Sequence, residues 1–591
     1  MKYDITYERE QYLRARGLII LMACPGSGKT TSIVKKLYDL QQECFDKYSP
    51  YSGVACLSFT NSAKDEILNK FKELHGVQFK FPNIVSTIDS FIFNYITLPF
   101  WTSSQGRKEQ LIIIDDEKII ASIFKHDYID KEGNRKEGYS RNLLKYRDYL
   151  YRYPPHEIWK EKEGYSHKGK IVSDKTFQEY GKVIFNLKIE KGIITSLDSS
   201  YLALYLMEHN RNIGKYLVKR FPYIIIDEAQ DTSEIQHLIF DKLVSCGIEH
   251  IEFVGDPYQS IYEWRNAKPK LLNEKAKSKD WQILELTENR RSVQRIIDCF
   301  SILRRKEDSK ISSLGVKDRE IPITIYKYNS NNINVVLDHF ETKCKNNNLK
   351  DSLVVVRGNS LKNKLLGTSL RIEPWKSPLP YSILSVLNSL KNKQIKQAID
   401  ELRKTILELK HPTLHQRERN ILLQEYKLDI NFNAKLYAFI KSVPFSNMSL
   451  NEWTEVTETL LKERFELNEK PNFLFKSRLI GFVMKDLRNE NISKYFNNTL
   501  ENENKRKVTT IHQIKGMTLD AILVFLTEPN NINSISFKDI ETPLKYPSEK
   551  QRLIYVACSR PKYFLAIAID DSITDEDIIN KFGKDIIIET L

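Results

Sequence analysis

The segment ACPGSGKTT, residues 23–31, constrains this chain more than any other. Six apolar residues, LIILMA, run into it, a helix-like stretch, TTSIVKKLYDLQQECF, leaves it, and a second apolar run, GVACLSF, follows. Strand, Gly-rich turn, helix and strand in that order make a βαβ unit. Such a turn cradles phosphates because glycines leave the backbone free to wrap an anion and the following helix aims N–H groups at it. Gly26, Ser27 and Gly28 form the cradle, Lys29 supplies a compact charge, Thr30 offers a hydroxyl to Mg²⁺, and Thr31 continues the helix. An accidental Gly-rich turn would lack the two flanking elements.

Two more short apolar runs end in carboxylates: YIIIDEAQD from Tyr223 and IEFVGD from Ile251. Continuous apolar runs of this length suit strands buried on both faces of a parallel sheet, with the polar ends at its C-terminal edge, where open α/β sheets bind ligands. An isolated Asp-Glu pair is ordinarily a surface feature. Placed after four apolar strand residues in a chain with a phosphate loop, Asp227 reads as a metal-directed carboxylate and Glu228 as a group that orients water. Beyond this first α/β block, the interval from Ile92 to about Arg211 is rich in Tyr and charge and poor in buried-strand runs, and reads as an insertion. A second α/β block follows, with strands expected at IPITIYKY, DSLVVVRG, KVTTIHQIKG, DAILVFL and YFLAIAI. It is interrupted over roughly 371–505 by helical segments such as ILSVLNSLKNKQIKQAIDELRKTILEL, whose apolar residues recur three and four apart.

The 591 residues carry 91 Lys+Arg against 77 Asp+Glu, a formal charge of +14. That balance favours a polyanionic partner, although a Lys-, Ile- and Asn-rich composition alone can produce it. The seven Cys are scattered singly without a CxxC pair, which excludes a disulfide-built fold and a Cys-based zinc or iron–sulfur site. No apolar run approaches the roughly 20 residues that cross a bilayer, and the N-terminus lacks an apolar signal core, so a cytoplasmic protein is expected, without a membrane partner.

With these motifs in place, the chain resembles the UvrD/Rep/PcrA-like superfamily 1A helicases, whose motifs occur in order along nearly its full length. In EREQ, Gln11 resembles the glutamine that reads adenine. LSFTNSAKDEI resembles the first DNA-contacting motif, with Phe59, Thr60 and Asn61; STIDSF resembles the next, with Asp89 where the family usually has His. IIIDEAQD and VGDPYQSIYEWRNA place Gln230 and Asp231 beside the hydrolysis centre and Gln259 where it senses the γ-phosphate. Tyr262, Trp264 and Arg265 match the segment that stacks on or flanks bases, a role suited to aromatic faces beside Arg, although a lone Trp is more often a packed core residue. LTENRRS maps Arg291 to a phosphate-contacting arginine and puts Arg290 at the usual Tyr position. VTTIHQIKGMTLDAILV carries His512 for DNA and Lys515 and Gly516 for nucleotide, with Thr518 replacing a ribose-contacting Glu. In EKQRLIYVACSRPK, Arg560 resembles the arginine finger; Arg552 takes either a nucleotide-linked or a structural role.

The resemblance implies an α/β chain of two RecA-like P-loop lobes, parallel sheets flanked by helices, carrying two largely helical inserted subdomains. The expected boundaries are 1–91 and 212–285 for lobe 1A, 92–211 for insert 1B, 286–370 and 506–591 for lobe 2A, and 371–505 for insert 2B. It implies ATP and Mg²⁺ as ligands, single-stranded DNA or DNA ends as partner, and 3′-to-5′ motion. The compact inserts, the expectation of no nuclease-like segment after lobe 2A, and the TIDSF, NRRS and KGMTLDA variants also look like the helicase-like (GajB-type) subunits of Gabija antiphage defence systems. That narrower likeness implies assembly with an OLD-family nuclease. A free-standing DNA repair helicase and a nonunwinding ATPase sensor that regulates a nuclease use the same motifs.

Overall fold

A computed structural model describes residues 4–105, 111–114, 192–261, 267–329, 332–365, 374–391, 394–411, 416–444, 448–476, 488–492, 507–526 and 534–591, together with short strands between 126 and 171. The chain divides into two compact units, one of residues 1–357 with 509–591 and one of residues 358–508.

The larger unit holds two six-stranded sheets. In the first, β1 (Leu18–Ala23), β2 (Val54–Ser58), β3 (Ile84–Thr87), β4 (Tyr223–Asp227), β5 (His250–Gly255) and β6 (Gln282–Leu286) lie in the order β6-β1-β5-β4-β2-β3, with every neighbouring pair parallel. Successive residues alternate between its faces. Ile20, Ala55, Ile224 and Phe253 join one core with Leu204 and Met207 of α4 (Ser196–His209) and Ile239 and Phe240 of α5 (Glu234–Ser245). Leu21, Cys56, Ile225 and Val254 join another with Ile33 and Leu37 of α2 (Lys29–Lys47) and Phe71 of α3 (Asn61–His75). Helices on both faces are the physical reason these strands read as unbroken apolar runs. α1 (Tyr7–Arg14) adds Tyr12 to the second core.

The second sheet contains β7 (Ile323–Tyr328), β8 (Ser352–Val356), β9 (Val508–Thr510), β10 (Leu519–Phe525), β11 (Pro561–Asp570) and β12 (Ile586–Thr590) in the order β9-β8-β10-β11-β7-β12. Its core packs Ile325, Val355, Ile522 and Ile567 against Ile297 and Phe300 of α6 (Gln294–Ser301) and Leu553 and Val556 of α12 (Glu549–Cys558). The expected α/β fold of parallel sheets flanked by helices is thus present. In the interval 92–211, the described strands between 126 and 171 pair antiparallel, His126–Ile129 with Arg135–Gly138 and Tyr149–Arg152 with Glu157–Lys160.

The smaller unit is helical and includes α7 (Leu379–Lys391), α8 (Ile395–Lys410), α9 (Gln416–Leu428), α10 (Ile430–Ser442) and α11 (Leu450–Phe465). Ala398, Ile399, Leu402 and Ile406 fall on one face of α8 and meet Leu436, Phe439, Trp453 and Leu461 in a single core. Trp375 fills its centre and donates from Nε1 to Thr454 Oγ1 at 3.0 Å.

One polar cluster is sealed inside the first sheet's helical cover. Lys36 of α2 and Glu252 of β5, both fully buried, form an ion pair. Glu252 also meets His250 Nε2, while His250 Nδ1 accepts the Gly17 N–H at 3.0 Å and the Lys36 ammonium lies 4.3 Å from the Tyr12 ring centre. Burial pushes the Glu252 carboxyl up, but Lys36 and His250 outweigh it and hold it down to about 2. Removing one member of a buried pair leaves the other charge uncompensated. Glu252→Ala is therefore expected to cost about 3–5 kcal/mol, read from urea unfolding; a loss below about 1 kcal/mol would mean that Lys36 finds other solvation. Because the native carboxyl is held below its ordinary range, its contribution is present above the unfolded value and is lost as pH falls toward about 2.

Candidate nucleotide site

The phosphate loop leaves β1 at the sheet's C-terminal edge, and α2 starts at Lys29 with Gly28 as its N-cap. Gly26 and Gly28 have φ of 74° and 77°, a region that disfavours side chains. Space imposes the same choice: a Cβ on Gly26 would stand 2.7 Å from Arg291 Cβ, and one on Gly28 2.4 Å from Arg9 Nη2. The loop is braced from behind. Arg9, buried on α1, donates to Ser27 O at 3.0 Å, and Asn289 donates to Pro25 O at 2.6 Å while its Oδ1 accepts the N–H groups of Arg291 and Ser292, each at 2.8 Å. Ser27, in the cavity-lining loop, has its Oγ buried without a hydrogen-bond partner among the described residues, which suits a group that binds an anion.

Opposite the loop stand the carboxylates that end β4. Lys29 Nζ lies 2.9 Å from Asp227 Oδ1 and also bonds Glu228. Glu228 sits at φ 54°, an uncommon conformation for a non-glycine residue, held by Gln230, whose amide donates to Glu228 Oε2 at 2.7 Å. From the second lobe, Lys515 bonds Asp231 and approaches Glu228 Oε2 to 3.4 Å. Burial raises the Asp227 and Asp231 carboxyls against the opposing pull of Lys29 and Lys515 respectively. At Glu228 burial acts in the same direction, but Lys29 and Lys515 together win and hold it well below the carboxylate range. Adjacent carboxyls are thus driven apart, one toward protonation and one firmly anionic. The Thr30 hydroxyl and the Asp227 carboxylate are hard oxygen donors. They fit Mg²⁺, which takes few protein ligands and completes its shell with phosphate oxygens and water.

The second lobe closes the site with arginines. Arg560 Nη2 donates to Gln259 Oε1 at 2.5 Å, and Gln259 Nε2 donates to Asp256 Oδ2 at 2.8 Å, so Gln259 touches both lobes. Arg291 donates to Thr518 Oγ1 at 3.0 Å and to Ser559 O at 3.1 Å, and makes no ion pair among the described residues. Burial and the neighbouring Arg560 charge pull its guanidinium down to about 9. A half-buried cation repelled by another cation is a place where an anion gains much. Together these groups line a 1110 Å³ cavity that includes Gly26, Ser27, Gly28, Lys29, Thr30, Thr31, Asp227, Glu228, Gln259, Arg291, Gly516 and Arg560.

Other expected residues lie elsewhere. Gln11 is exposed on α1 and does not line the cavity; Arg9 and Tyr12, three apart, take the inward face instead. Arg552 is buried and donates to Ser260 O at 2.6 Å and Pro547 O at 2.5 Å, outside the cavity lining. Arg290 lines the cavity rim, salt-bridged to Glu288 at 2.9 Å and Asp4 at 3.0 Å. His512, in a short helical turn, is half-buried, which lowers its pKa, and lies outside the lining. Phe59 and Thr60 line both this cavity and a second of 540 Å³, which Asn61 and Asp89 share. Tyr262, Trp264 and Arg265 lie outside the described residues. Arg9, Asn289, Lys317 and Tyr563 are cavity or bracing residues that sequence reading missed. Only Arg9 left a signal, its helical spacing from Tyr12. No described helix is long and apolar enough to cross a membrane.

Residues 6–280 match the UvrD/REP helicase N-terminal domain, so the chain contains a UvrD/Rep/PcrA-like superfamily 1A helicase domain with its P-loop nucleotide site. It is 28% identical over 288 residues to a probable DNA helicase II homolog of Mycoplasma capricolum, covering 47% of this chain and 37% of that protein. Identity to the ATP-dependent DNA helicase Rep of Buchnera aphidicola from Acyrthosiphon pisum is 22% but extends over 92% of this chain and 91% of that protein. The Gabija protein GajB of Bacillus cereus is 27% identical over 306 residues, 51% of this chain and 50% of GajB. The matches to the Mycoplasma and Bacillus proteins thus span well under two thirds of their lengths.

Proposed function

We propose that this chain is an ATP-hydrolysing motor driven by single-stranded DNA, moving 3′ to 5′, and that it serves as the helicase-like component of a Gabija-type antiphage assembly with an OLD-family nuclease. The observation that carries the motor reading is the convergence of Lys29, Asp227 and Glu228 from one lobe with Arg291 and Arg560 from the other around one cavity. Phosphoryl transfer needs positioning and charge stabilisation more than covalent chemistry, and these are what such a cleft supplies. In it, the loop and Lys29 hold the triphosphate, Glu228 orients the attacking water, and Arg291 and Arg560 meet charge developing on the transferred group. Mg²⁺, held by Thr30 and Asp227, would neutralise phosphate charge. Gln259, bonded to Arg560 and Asp256, ties the γ-phosphate position to lobe closure. Lobe 1A (1–91, 212–285), insert 1B (92–211), lobe 2A (286–370, 506–591) and insert 2B (371–505) are the boundaries we propose, with Phe59, Thr60, Asn61, Tyr262, Trp264, Arg265 and His512 along the DNA track, Gln11 at the adenine and Arg552 linked to the nucleotide.

The likeness to GajB supports the defence role, and the near full-length likeness to Rep supports a free-standing helicase. Affinity purification of the native chain separates them. Stoichiometric recovery of an OLD-family nuclease, with ATP hydrolysis on single strands, is the expected result. A lone monomer that displaces strands from a duplex with a 3′ tail would replace the defence reading with a repair helicase, and recovery of the nuclease without strand displacement would leave a sensor.

A further inference from the structure

Asp89 stands at the second position of the short helix Ile88–Ile92, whose N-cap is Thr87 at the end of β3. With Phe59, Thr60, Asn61, Phe93 and Asn94 it lines the 540 Å³ cavity beside the nucleotide site, and Phe59 and Thr60 form a wall common to both. Two aromatic rings and a set of amide and hydroxyl groups suit unstacked bases. A carboxylate does not suit phosphate, which it repels, but accepts well from N–H donors such as base amino groups.

The Asp89 side chain is engaged from behind. Gln236 Nε2 donates to Asp89 Oδ1 at 2.8 Å. Gln236 is buried and is the third residue of α5, where it completes a capping box: its Oε1 accepts the Ser233 N–H at 2.9 Å, and its own N–H reaches Ser233 Oγ at 3.4 Å. Ser233 is two residues beyond Asp231. The intervening turn is closed by the Asp231 N–H on Glu228 O at 2.9 Å and by Thr232 Oγ1 on Ala229 O at 2.6 Å. Hydrogen bonds therefore lead from the cavity wall to Ser233, which the peptide chain joins directly to the turn that holds Glu228 at its positive φ. A capping box fixes the start of a helix, so a pull on Gln236 is a pull on the segment carrying Glu228 and Gln230.

We propose that Asp89 is a positioning residue that reports an occupied base cavity to the hydrolysis turn through Gln236. A base amino group that draws on the Asp89 carboxylate changes its hold on Gln236 and, through the capping box, the placing of Glu228. The inference rests on the reading of this chain as a strand-driven ATPase.

The test compares steady-state ATP turnover, with and without saturating single-stranded DNA of mixed sequence, in the wild type, Asp89→Ala, Asp89→Asn, Gln236→Ala and the double Ala variant, alongside strand binding by fluorescence anisotropy. Asp89→Ala and Gln236→Ala are expected to lower the ratio of stimulated to unstimulated turnover by about five- to tenfold, with strand Kd changed less than about threefold. The isosteric Asp89→Asn keeps an acceptor for Gln236 and retains most of the ratio. The double variant is no worse than either single one, because the two residues act in series. A wild-type ratio in Asp89→Ala, or a ratio restored there by more DNA, overturns the inference while leaving the strand-driven reading intact. Absence of any stimulation in the wild type overturns that reading and the inference with it. If Asp89→Ala does not fold, Gln236→Ala decides alone, a lowered ratio supporting the relay and an unchanged one overturning it.

Discussion

Lys29→Ala is expected to lower ATP turnover by on the order of 10²–10³-fold while leaving the melting transition of the protein cooperative. Burial favours loss of the Lys29 proton, but Asp227 and Glu228 outweigh it and hold the pKa above the ordinary lysine value, so the side chain remains an ammonium throughout the neutral range. Its removal takes a positive charge from the cavity and leaves Asp227 and Glu228 facing the incoming phosphates with Lys515 as the remaining ion-pair partner among the described residues. Nucleotide affinity and turnover should therefore fall together. Since the cation also holds Glu228 anionic, the pH profile of residual turnover should shift its acid limb upward. Turnover within about threefold of the wild type would remove Lys29 from the reaction.

The second large effect separates turnover from binding. Arg560→Ala should reduce turnover by about 10³-fold or more, with nucleotide affinity changed only a few-fold, since the loop and Lys29 remain. Arg560 is nearly fully buried, fixed by Val556 O at 3.2 Å and, across the cleft, by Gln259, which is itself bonded to Asp256 on its own lobe. Arg560→Lys should not rescue, because an ammonium cannot hold Gln259 and a phosphoryl oxygen in the guanidinium's fixed planar geometry. Gln259→Ala frees the arginine without deleting it, and its expected loss is smaller, about 10²-fold. Parallel loss of affinity and turnover in Arg560→Ala, measured with a fluorescent nucleotide, would instead make it a ground-state phosphate ligand.

The sheets were legible because strands covered on both faces are mostly apolar, and β1, β2, β4 and β5 each read as a short apolar run, β5 with the buried His250 and Glu252 inside it. β6 is an edge strand with exposed Gln282, Ile283 and Glu285, and its pattern carries no comparable signal. The phosphate loop and the β4 carboxylates were legible for a different reason. Their chemistry is local, the reactive groups lying within a few residues of one another. What sequence did not disclose was long-range bracing: Asn289 on Pro25, Arg9 on Ser27 and Gln236 on Asp89 join residues 264, 18 and 147 positions apart. No local pattern encodes such pairs, because each partner is an ordinary polar residue until the fold brings the other to it. Gln11 illustrates the complementary case. A motif fixes a residue's place in the chain, whereas helical phase decides which side chain turns inward, and in α1 that phase selects Arg9 and Tyr12.

The central claim is that ATP is hydrolysed in the cleft between the two lobes and that a single strand of DNA governs the rate. Steady-state phosphate release from the purified full chain, titrated with single-stranded DNA, tests it most directly. The account predicts a saturable rise in turnover with strand concentration that is abolished in both Lys29→Ala and Arg560→Ala; a rate independent of DNA, or a rise that survives either substitution, would contradict it.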